Sequence, residues 1–177
     1  MDEILERTLN ALKEILNPRY HSTERGFVPH FYHHLELQIL GQNLFPEGTI
    51  IEAEVQKRLN EHYGIRQRPD LLIHIPIETG LTDNADENNF VVYGFKLNGN
   101  NQISLDDFAK LDEMFEGLNY EMGIFININS YPNTFLQNYT GNFRDRIHEY
   151  SIKLNNGNVE VMHAYFDDNN NIQIVEK

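Results

Sequence analysis

The feature that most constrains the fold is a pair of buried-strand patterns separated by a helix pattern. Residues 90–97 and 123–128 are short, nearly continuous apolar runs, typical of strands buried on both faces. The residues between them place apolar side chains at helical spacing, namely Leu105, Phe108, Leu111, Met114 and Phe115. A strand, a helix and a strand in this order form a crossover unit with two parallel strands. The sequence therefore predicts an α/β fold.

Two further strands are predicted before this unit. Residues 71–75 form a short buried-strand pattern. Residues 49–59 are ambiguous, because their apolar spacing fits either a capped helix or a strand over 50–55. We interpret them as a strand, since residues 60–64 supply turn residues suited to joining two antiparallel strands. In such a hairpin, Glu54 and Asp70 converge.

The ends of the chain complete the predicted architecture. Apolar stripes predict helices over residues 2–16 and from Pro29 to about residue 40, and the second contains Glu36. The tail predicts a short helix at 142–150 and a β-hairpin with strands at 159–166 and 172–175. We expect one domain of 177 residues, with an N-terminal helix and loop (1–28), a core (29–129) and a C-terminal extension (130–177).

Composition excludes several kinds of function. The chain has no cysteine, so it has no disulfide, zinc-thiolate site or thiol nucleophile. Its net charge of −13 argues against a general nucleic-acid coat, because nonspecific affinity depends on Lys and Arg. It shows neither a phosphate-binding glycine loop nor a Gly-x-Ser-x-Gly elbow. We expect a cytoplasmic protein without membrane contact, since no apolar run approaches the length of a span.

Two local clusters have alternative interpretations. Basic residues precede Asp70 in one short stretch that is either a local nucleic-acid contact or a solvated face, namely Lys57, Arg58, Arg66 and Arg68. His30 and His34 share a helical face in the way that paired zinc ligands do, with His33 beside them. Because the His-Glu-x-x-His order is missing, we interpret these histidines as ordinary, partly exposed residues.

Residues that carry chemistry follow the predicted elements in a recognisable order. Glu36 lies on a helix and Glu54 on a strand, Pro69-Asp70 opens the next strand, and Lys96 ends the strand before the crossover helix. Over about residues 29–129 this order resembles the PD-(D/E)XK nuclease superfamily. The resemblance implies a restriction-endonuclease-like three-layer core, in which helices flank a mixed central sheet. The C-terminal β-hairpin adds to that core.

The resemblance also implies a site for Mg²⁺ or Mn²⁺ that hydrolyses phosphodiester bonds. Hard cations prefer oxygen ligands, and this hydrolysis needs an activated water and stabilisation of the phosphate charge. The implied catalytic residues are Asp70, Lys96 and Glu54. The implied metal ligands are Asp70, Glu54 and Glu36, with the carbonyl of Phe95. The residues expected to contact nucleic acid are Arg66, Arg68 and Lys110.

One position departs from the superfamily pattern. Gly94 stands two residues before Lys96, where the second acid is expected. Losing a carboxylate weakens metal binding unless another acid stands in, and the candidates are Glu36, Glu52 and Asp107. Two hypotheses follow. The chain is either a nuclease with a remodelled site, or a catalytically inactive interaction module that binds a protein partner and keeps Asp70 and Lys96 as a structural ion pair.

Overall fold

A seven-stranded mixed sheet forms the centre of the structure, a computed structural model that describes residues 2–53, 69–76 and 88–177. The spatial order of the strands follows their order in the chain. Strands β3, β4 and β5 are parallel to one another, and the other neighbouring pairs are antiparallel. The strands are β1 (Ile50–Ala53), β2 (Leu71–His74), β3 (Asn89–Leu97), β4 (Met122–Ile128), β5 (Ile147–Asn155), β6 (Asn158–Phe166) and β7 (Ile172–Glu176).

Helices cover both faces of the sheet. Helices α1 (Asp2–Lys13) and α2 (Glu24–Ile39) pack on one face, where Phe27 and Phe31 meet the buried side chains of β2, β3 and β4. Helix α3 (Asn101–Leu118) packs on the other face, through a second apolar cluster that joins Phe108 to Val92 and Phe125. The arrangement has three layers. None of the helices within residues 2–53, 69–76 and 88–177 has the length and apolar character needed to cross a membrane.

Most of the predicted strands are confirmed. Strands β3 and β4 are parallel and joined by α3, as the crossover pattern predicts. Strand β1 pairs antiparallel with β2, and β6 pairs antiparallel with β7. The turn predicted at residues 60–64 lies outside the described residues.

The predicted helix at 142–150 is wrong. Residues from Ile147 onward form β5, which lies between β4 and β6 and is buried on both faces. The sequence favours a helix because Phe143, Ile147 and Tyr150 have helical spacing, which competes with the strand alternation of Tyr150, Ile152 and Leu154. The polar residues Glu149 and Ser151 of that alternation are also fully buried, where a half-buried strand would expose them.

Two predicted helix starts are also wrong. Helix α2 begins at Glu24 rather than at Pro29, because Thr23 Oγ1 caps it by accepting a hydrogen bond from Gly26 N at 2.9 Å. In the sequence, Ser104 followed by Asp107 indicates the start of α3, but the helix begins at Asn101, since the Asn100 side chain accepts hydrogen bonds from the first turn. The earlier start of α2 places Glu24 in its first turn, beside the end of β3. Helix α1 ends at Lys13, three residues before its predicted end at residue 16.

Candidate functional site

Strand register brings Asp70, Gly94 and Lys96 together. Leu71 pairs with Tyr93 in the antiparallel β2–β3 ladder, so Asp70, one residue earlier, lies beside Gly94. Side chains alternate between the two faces of a sheet, and Val92 faces α3. Positions 94 and 96 therefore lie on the α3 face as well. This placement agrees with the predicted order of these residues on the strands.

A small pocket of about 70 Å³ lies between this part of the sheet and α3. Its walls include Pro69, Gly94 and Phe95 together with several apolar side chains. The described charged residues of the pocket come from α2, β3, α3 and the start of β2. They are Glu24, Asp70, Lys96, Asp107 and Lys110. Three carboxylates and two ammonium groups thus meet in one cavity. The described lining carries an excess of negative charge at neutral pH.

Asp70 is held against the backbone of β3. Its Oδ2 accepts a hydrogen bond from Phe95 N at 2.8 Å. Burial raises the pKa of Asp70 above its ordinary value, and the carboxylates of Glu24 and Asp107 raise it further. The Phe95 hydrogen bond and the Lys110 ammonium act in the opposite direction. Since burial dominates, a cation bound near Asp70 would relieve the cost of its ionised form.

Glu24 reaches the pocket from the first turn of α2. Its Oε1 accepts a hydrogen bond from Leu97 N at 3.0 Å and lies 3.6 Å from Lys96 Nζ. The structural ion pair expected between Asp70 and Lys96 is therefore replaced by a pair between Glu24 and Lys96. Sequence reasoning missed Glu24 because it placed the start of α2 at Pro29. The signal that points to it is Thr23 followed by an acid, which is typical of a capped helix start.

Asp107 and Lys110 enter the pocket from α3. Lys110 Nζ donates to Asp107 Oδ1 at 2.5 Å, and the Asp107 residue is only 8 % exposed. The second carboxylate oxygen, Asp107 Oδ2, is buried and has no hydrogen-bond partner among the described residues. The Lys110 side chain remains 41 % exposed, so its ammonium is accessible from solvent.

The other predicted site residues lie elsewhere. Glu36 is exposed on α2 and accepts a hydrogen bond from the Tyr32 hydroxyl at 3.3 Å, and it does not line this pocket. Glu52 on β1 lies 3.0 Å from His74 Nε2 and is not part of the lining either. The remaining predicted residues lie outside the described part of the chain, and they are Glu54, Arg66 and Arg68. Their roles stay predictions.

The predicted histidine cluster has ordinary ring contacts. The His30 ring stacks on Tyr20 with a centroid separation of 3.4 Å, and His33 and His34 meet edge to face. Within the described ranges, no three His, Cys, Asp or Glu side chains are grouped so that they could hold a metal ion. The acids of the pocket therefore do not form a closed cage of side-chain ligands.

Gly94 leaves open space where the missing acid is expected. A Cβ atom built at this position would have Phe125 Cδ2, at 3.8 Å, as its nearest described neighbour, an ordinary van der Waals contact. Gly94 is also not among the residues with positive φ. Neither crowding nor backbone conformation requires glycine here. Gly123 on the adjacent strand is different, since its Cβ would lie 2.6 Å from Phe115 Cζ.

We expect Gly94→Ala to raise the free energy of unfolding by up to about 1 kcal/mol, because alanine loses less backbone entropy than glycine in a strand. Gly123→Ala is the matched control in the neighbouring parallel strand. It is expected to lower the free energy of unfolding by about 1–3 kcal/mol, because the buried Phe115 ring must move. Urea denaturation measures both changes. Equal losses in the two variants would show that position 94 is as crowded as position 123.

The pocket combines carboxylates, ammonium groups and an unfilled side-chain position at the end of a strand. Comparison with known proteins adds no relative, since the chain matches no protein-family model, no curated protein and no solved structure. The interpretation of the site accordingly depends on its own geometry and chemistry.

Proposed function

We propose that the chain is a divalent-metal-dependent phosphodiester hydrolase of the PD-(D/E)XK nuclease type, with an active site remodelled at Gly94. One observation carries this proposal. Asp70, position 94 and Lys96 lie on one face of the sheet and line one pocket, in the order that such a site needs. The three-layer architecture and the β1–β2–β3–α3–β4 order also support it.

Asp70 and the backbone of β3 supply oxygen ligands for the proposed metal. In an extended strand the N–H and C=O of one residue point to the same edge. Since Phe95 N–H points to Asp70, the Phe95 carbonyl lies at that edge too. Mg²⁺ usually keeps several waters and needs only one or two carboxylates, so these residues suit it without a closed cage. When bound, Mg²⁺ or Mn²⁺ would activate a water and stabilise the phosphate charge.

The two lysines supply positive charge for the substrate. Lys96 Nζ lies 3.6 Å from Glu24, beyond ordinary hydrogen-bond length, so its N–H donors are suited to a phosphate oxygen or a water. Lys110 lines the pocket with a half-exposed side chain and is suited to a neighbouring phosphate. With a net charge of −13, the chain is expected to contact nucleic acid only locally, and Arg66 and Arg68 would extend this contact.

The test is cleavage of single- and double-stranded DNA and RNA with Mg²⁺ or Mn²⁺. Asp70→Asn keeps an oxygen for the Phe95 N–H but removes the charge, and it is expected to lower the cleavage rate roughly a hundredfold or more. Asp106→Asn is the matched control, because Asp106 is an exposed acid on α3. Failure of the wild-type chain to cleave any of these substrates would contradict the proposal.

A second candidate function is a catalytically inactive interaction module that binds a protein partner. The observation that favours it is charge pairing inside the pocket, where Lys96 faces Glu24 and Lys110 binds Asp107 while Gly94 supplies no ligand. This candidate predicts that Mn²⁺ leaves the thermal unfolding temperature unchanged and that the tagged chain recovers a specific protein in pull-downs. Tight Mn²⁺ binding in calorimetry would contradict it.

A further inference from the structure

A second cleft, of about 450 Å³, lies at the carboxyl ends of β4 and β5. One side is formed by Asn129, directly after β4, and by Leu154 near the end of β5 with the turn that follows it. The other side is the connection between α1 and α2, which contributes Leu16 and Ser22. The volume is typical of ligand sites, and crevices at this end of parallel strands are where α/β sheets usually bind their ligands.

The described lining of the second cleft is uncharged and partly apolar. Leu16, Pro18 and Leu154 supply apolar surface, and Leu16 remains 50 % exposed. No aspartate, glutamate, lysine or arginine is among the described lining residues. Such a lining favours an uncharged ligand with apolar faces over a phosphate or a metal ion, because it cannot compensate the charge of either.

His21 places an unused hydrogen-bond acceptor in the wall of this cleft. The residue is only 4 % exposed, and its Nε2 lies 2.8 Å from the carbonyl oxygen of Ile15. Since a carbonyl oxygen only accepts, Nε2 carries the proton and Nδ1 of the neutral ring is an acceptor. Nδ1 is buried and has no partner among the described residues. A buried polar atom without a partner costs free energy, so its retention in a cleft wall indicates a ligand that donates to it.

Asn129 adds a second acceptor to the same wall. Its Nδ2 donates to the backbone oxygen of His21 at 2.9 Å, and this contact orients the side-chain amide. The amide oxygen is left to accept a hydrogen bond. The ligand that suits the second cleft therefore has apolar faces, no charge and N–H donors at its edge.

The second cleft lies close to the pocket that contains Asp70. His21 and Glu24 are three residues apart, so their Cα atoms are separated by about 11 Å at most. Asn129 follows Ile128, which pairs with Leu97 at the end of β3. A nucleic acid with one phosphate in the pocket has the neighbouring nucleotides near the second cleft. The base is the part of a nucleotide that combines flat apolar faces with N–H donors at its edge.

We infer that the second cleft binds an unpaired nucleobase that carries an exocyclic amino group. The choice of a base as the ligand rests on the proposed function, because that function supplies the nucleic acid. The amino group of adenine or cytosine donates, whereas uracil and thymine have a carbonyl oxygen at the equivalent position. That oxygen would face the acceptors of His21 and Asn129 and be repelled. The cleft thus selects amino-bearing bases, either within a strand or as free nucleosides.

Calorimetric titration of the whole chain with adenosine alone, at pH 8, is the direct test. Adenosine is expected to bind with a dissociation constant of about 1 mM or lower, and uridine at least about tenfold more weakly. His21→Gln should weaken adenosine binding at least about tenfold, because glutamine keeps a donor for the Ile15 carbonyl but lacks the acceptor at the place of Nδ1.

Two leucines provide a matched pair for the apolar wall. Leu16→Ser is expected to weaken adenosine binding at least about threefold, because it removes apolar surface from the second cleft. Leu37→Ser should stay within about twofold of wild type, since Leu37 is 56 % exposed on α2 and does not line the cleft. Equal losses in the two variants would contradict binding in this cleft.

Single-stranded oligonucleotides distinguish a base within a strand from a free nucleoside. Fluorescence anisotropy compares a strand of thymines that has one central adenine with a strand of thymines alone. If the base is part of a strand, the first is expected to bind at least about tenfold more tightly, and His21→Gln should abolish the difference. A preference seen only with nucleosides supports the cleft as a site for a free nucleoside.

The possible failures are distinguishable. Adenosine binding that needs His21, in a chain that cleaves nothing, supports the base site and overturns the proposed function. Mn²⁺-dependent cleavage by a chain that binds no adenosine and shows no preference for adenine in a strand overturns the base site and leaves the proposed function standing. Equal affinity for adenosine and uridine also overturns it. If thermal melting shows that His21→Gln does not fold, the uridine comparison and Leu16→Ser decide under the same criteria.

Discussion

Replacing Gly94 with glutamate is expected to raise the rate of Mn²⁺-dependent phosphodiester cleavage at least about tenfold. The substitution adds a carboxylate beside Asp70 and two residues before Lys96, on the face that lines the pocket. The strand has room for a Cβ atom there, since its nearest described contact is Phe125 at 3.8 Å. An added charged oxygen increases metal occupancy, which limits the rate at low Mn²⁺ concentration.

Gly94→Gln is the matched control, because glutamine fills the same space without the charge. The cleavage rate is measured for both variants over a range of Mn²⁺ concentrations, and calorimetry gives the affinity. If the wild-type chain shows no detectable cleavage, cleavage by the Gly94→Glu variant would show that the rest of the site is intact. A folded Gly94→Glu variant that neither binds Mn²⁺ more tightly nor cleaves faster than Gly94→Gln would exclude position 94 from the metal site.

The second large effect is expected in the pH dependence of stability. His148 on β5 and His163 on β6 share a hydrogen bond of 3.1 Å between Nδ1 and Nε2. The His163 ring stacks on that of Tyr150, and both histidine rings lie tilted against that of Tyr165. Burial lowers the pKa of His148 to about 4 and that of His163 to about 3, with Asp2 opposing the first shift and Lys177 adding to the second.

The sign of the effect follows from these lowered pKa values. Neutral His163 stabilises the folded state fully above pH 6.5, and this contribution is lost as the pH falls towards 3. At pH 4.5 the loss amounts to about 2–3 kcal/mol for one such histidine. We therefore expect His163→Gln to reduce the acid-induced loss of unfolding free energy by about 2 kcal/mol relative to wild type. His33→Gln, at an exposed position on α2, is the matched control.

Glu149 on β5 acts in the opposite direction over the same pH range. Burial raises its pKa to about 7, although Phe135 N donates to both of its carboxylate oxygens, at 2.8 and 3.0 Å. Protonated Glu149 stabilises the folded state at low pH, and this contribution is lost as the pH rises through 7. The free energy of unfolding of the wild-type chain is thus expected to change with pH only by the difference between the two effects. Glu149→Gln should steepen its acid-induced loss of stability.

Urea denaturation at pH 4.5, 5.5 and 7 measures these free energies. Opposite deviations of His163→Gln and Glu149→Gln from the wild-type profile are the expected outcome. If His163→Gln follows the same profile as His33→Gln, the histidine pair is not the group that titrates.

The sequence predicts those parts of the fold in which the apolar spacing of a segment matches the way that the segment is buried. The strand, helix and strand of the crossover have the lengths and apolar spacing that identify them, and β3, α3 and β4 confirm the prediction. Strand β5 could not be identified in this way. Helical spacing of Phe143, Ile147 and Tyr150 competes with the strand alternation in its sequence, and Glu149 is a buried acid that resembles a surface position.

The residues of the candidate site also divide into those that the strand pattern places and those that only the tertiary structure places. Asp70, Gly94 and Lys96 lie on adjacent strands, so their approximate relation follows from the predicted order of those strands. Glu24 comes from an element distant in sequence, and its place depends on a helix start set by one capping threonine. The sequence suggests Asp107 only as one candidate among several acids. Only the packing of α3 on the sheet distinguishes it from Glu36 and Glu52.

Asp70 and Glu24 also provide spectroscopic reporters of the pocket. They accept hydrogen bonds from two backbone amides of β3, those of Phe95 and Leu97. An amide proton that is bonded to a carboxylate changes its magnetic resonance frequency when that carboxylate gains a proton or a cation. The Phe95 amide therefore reports the ionisation of Asp70, and the Leu97 amide reports that of Glu24. Two resonances from neighbouring positions on one strand are thus sufficient to follow the protonation and ion occupancy of the two acids separately.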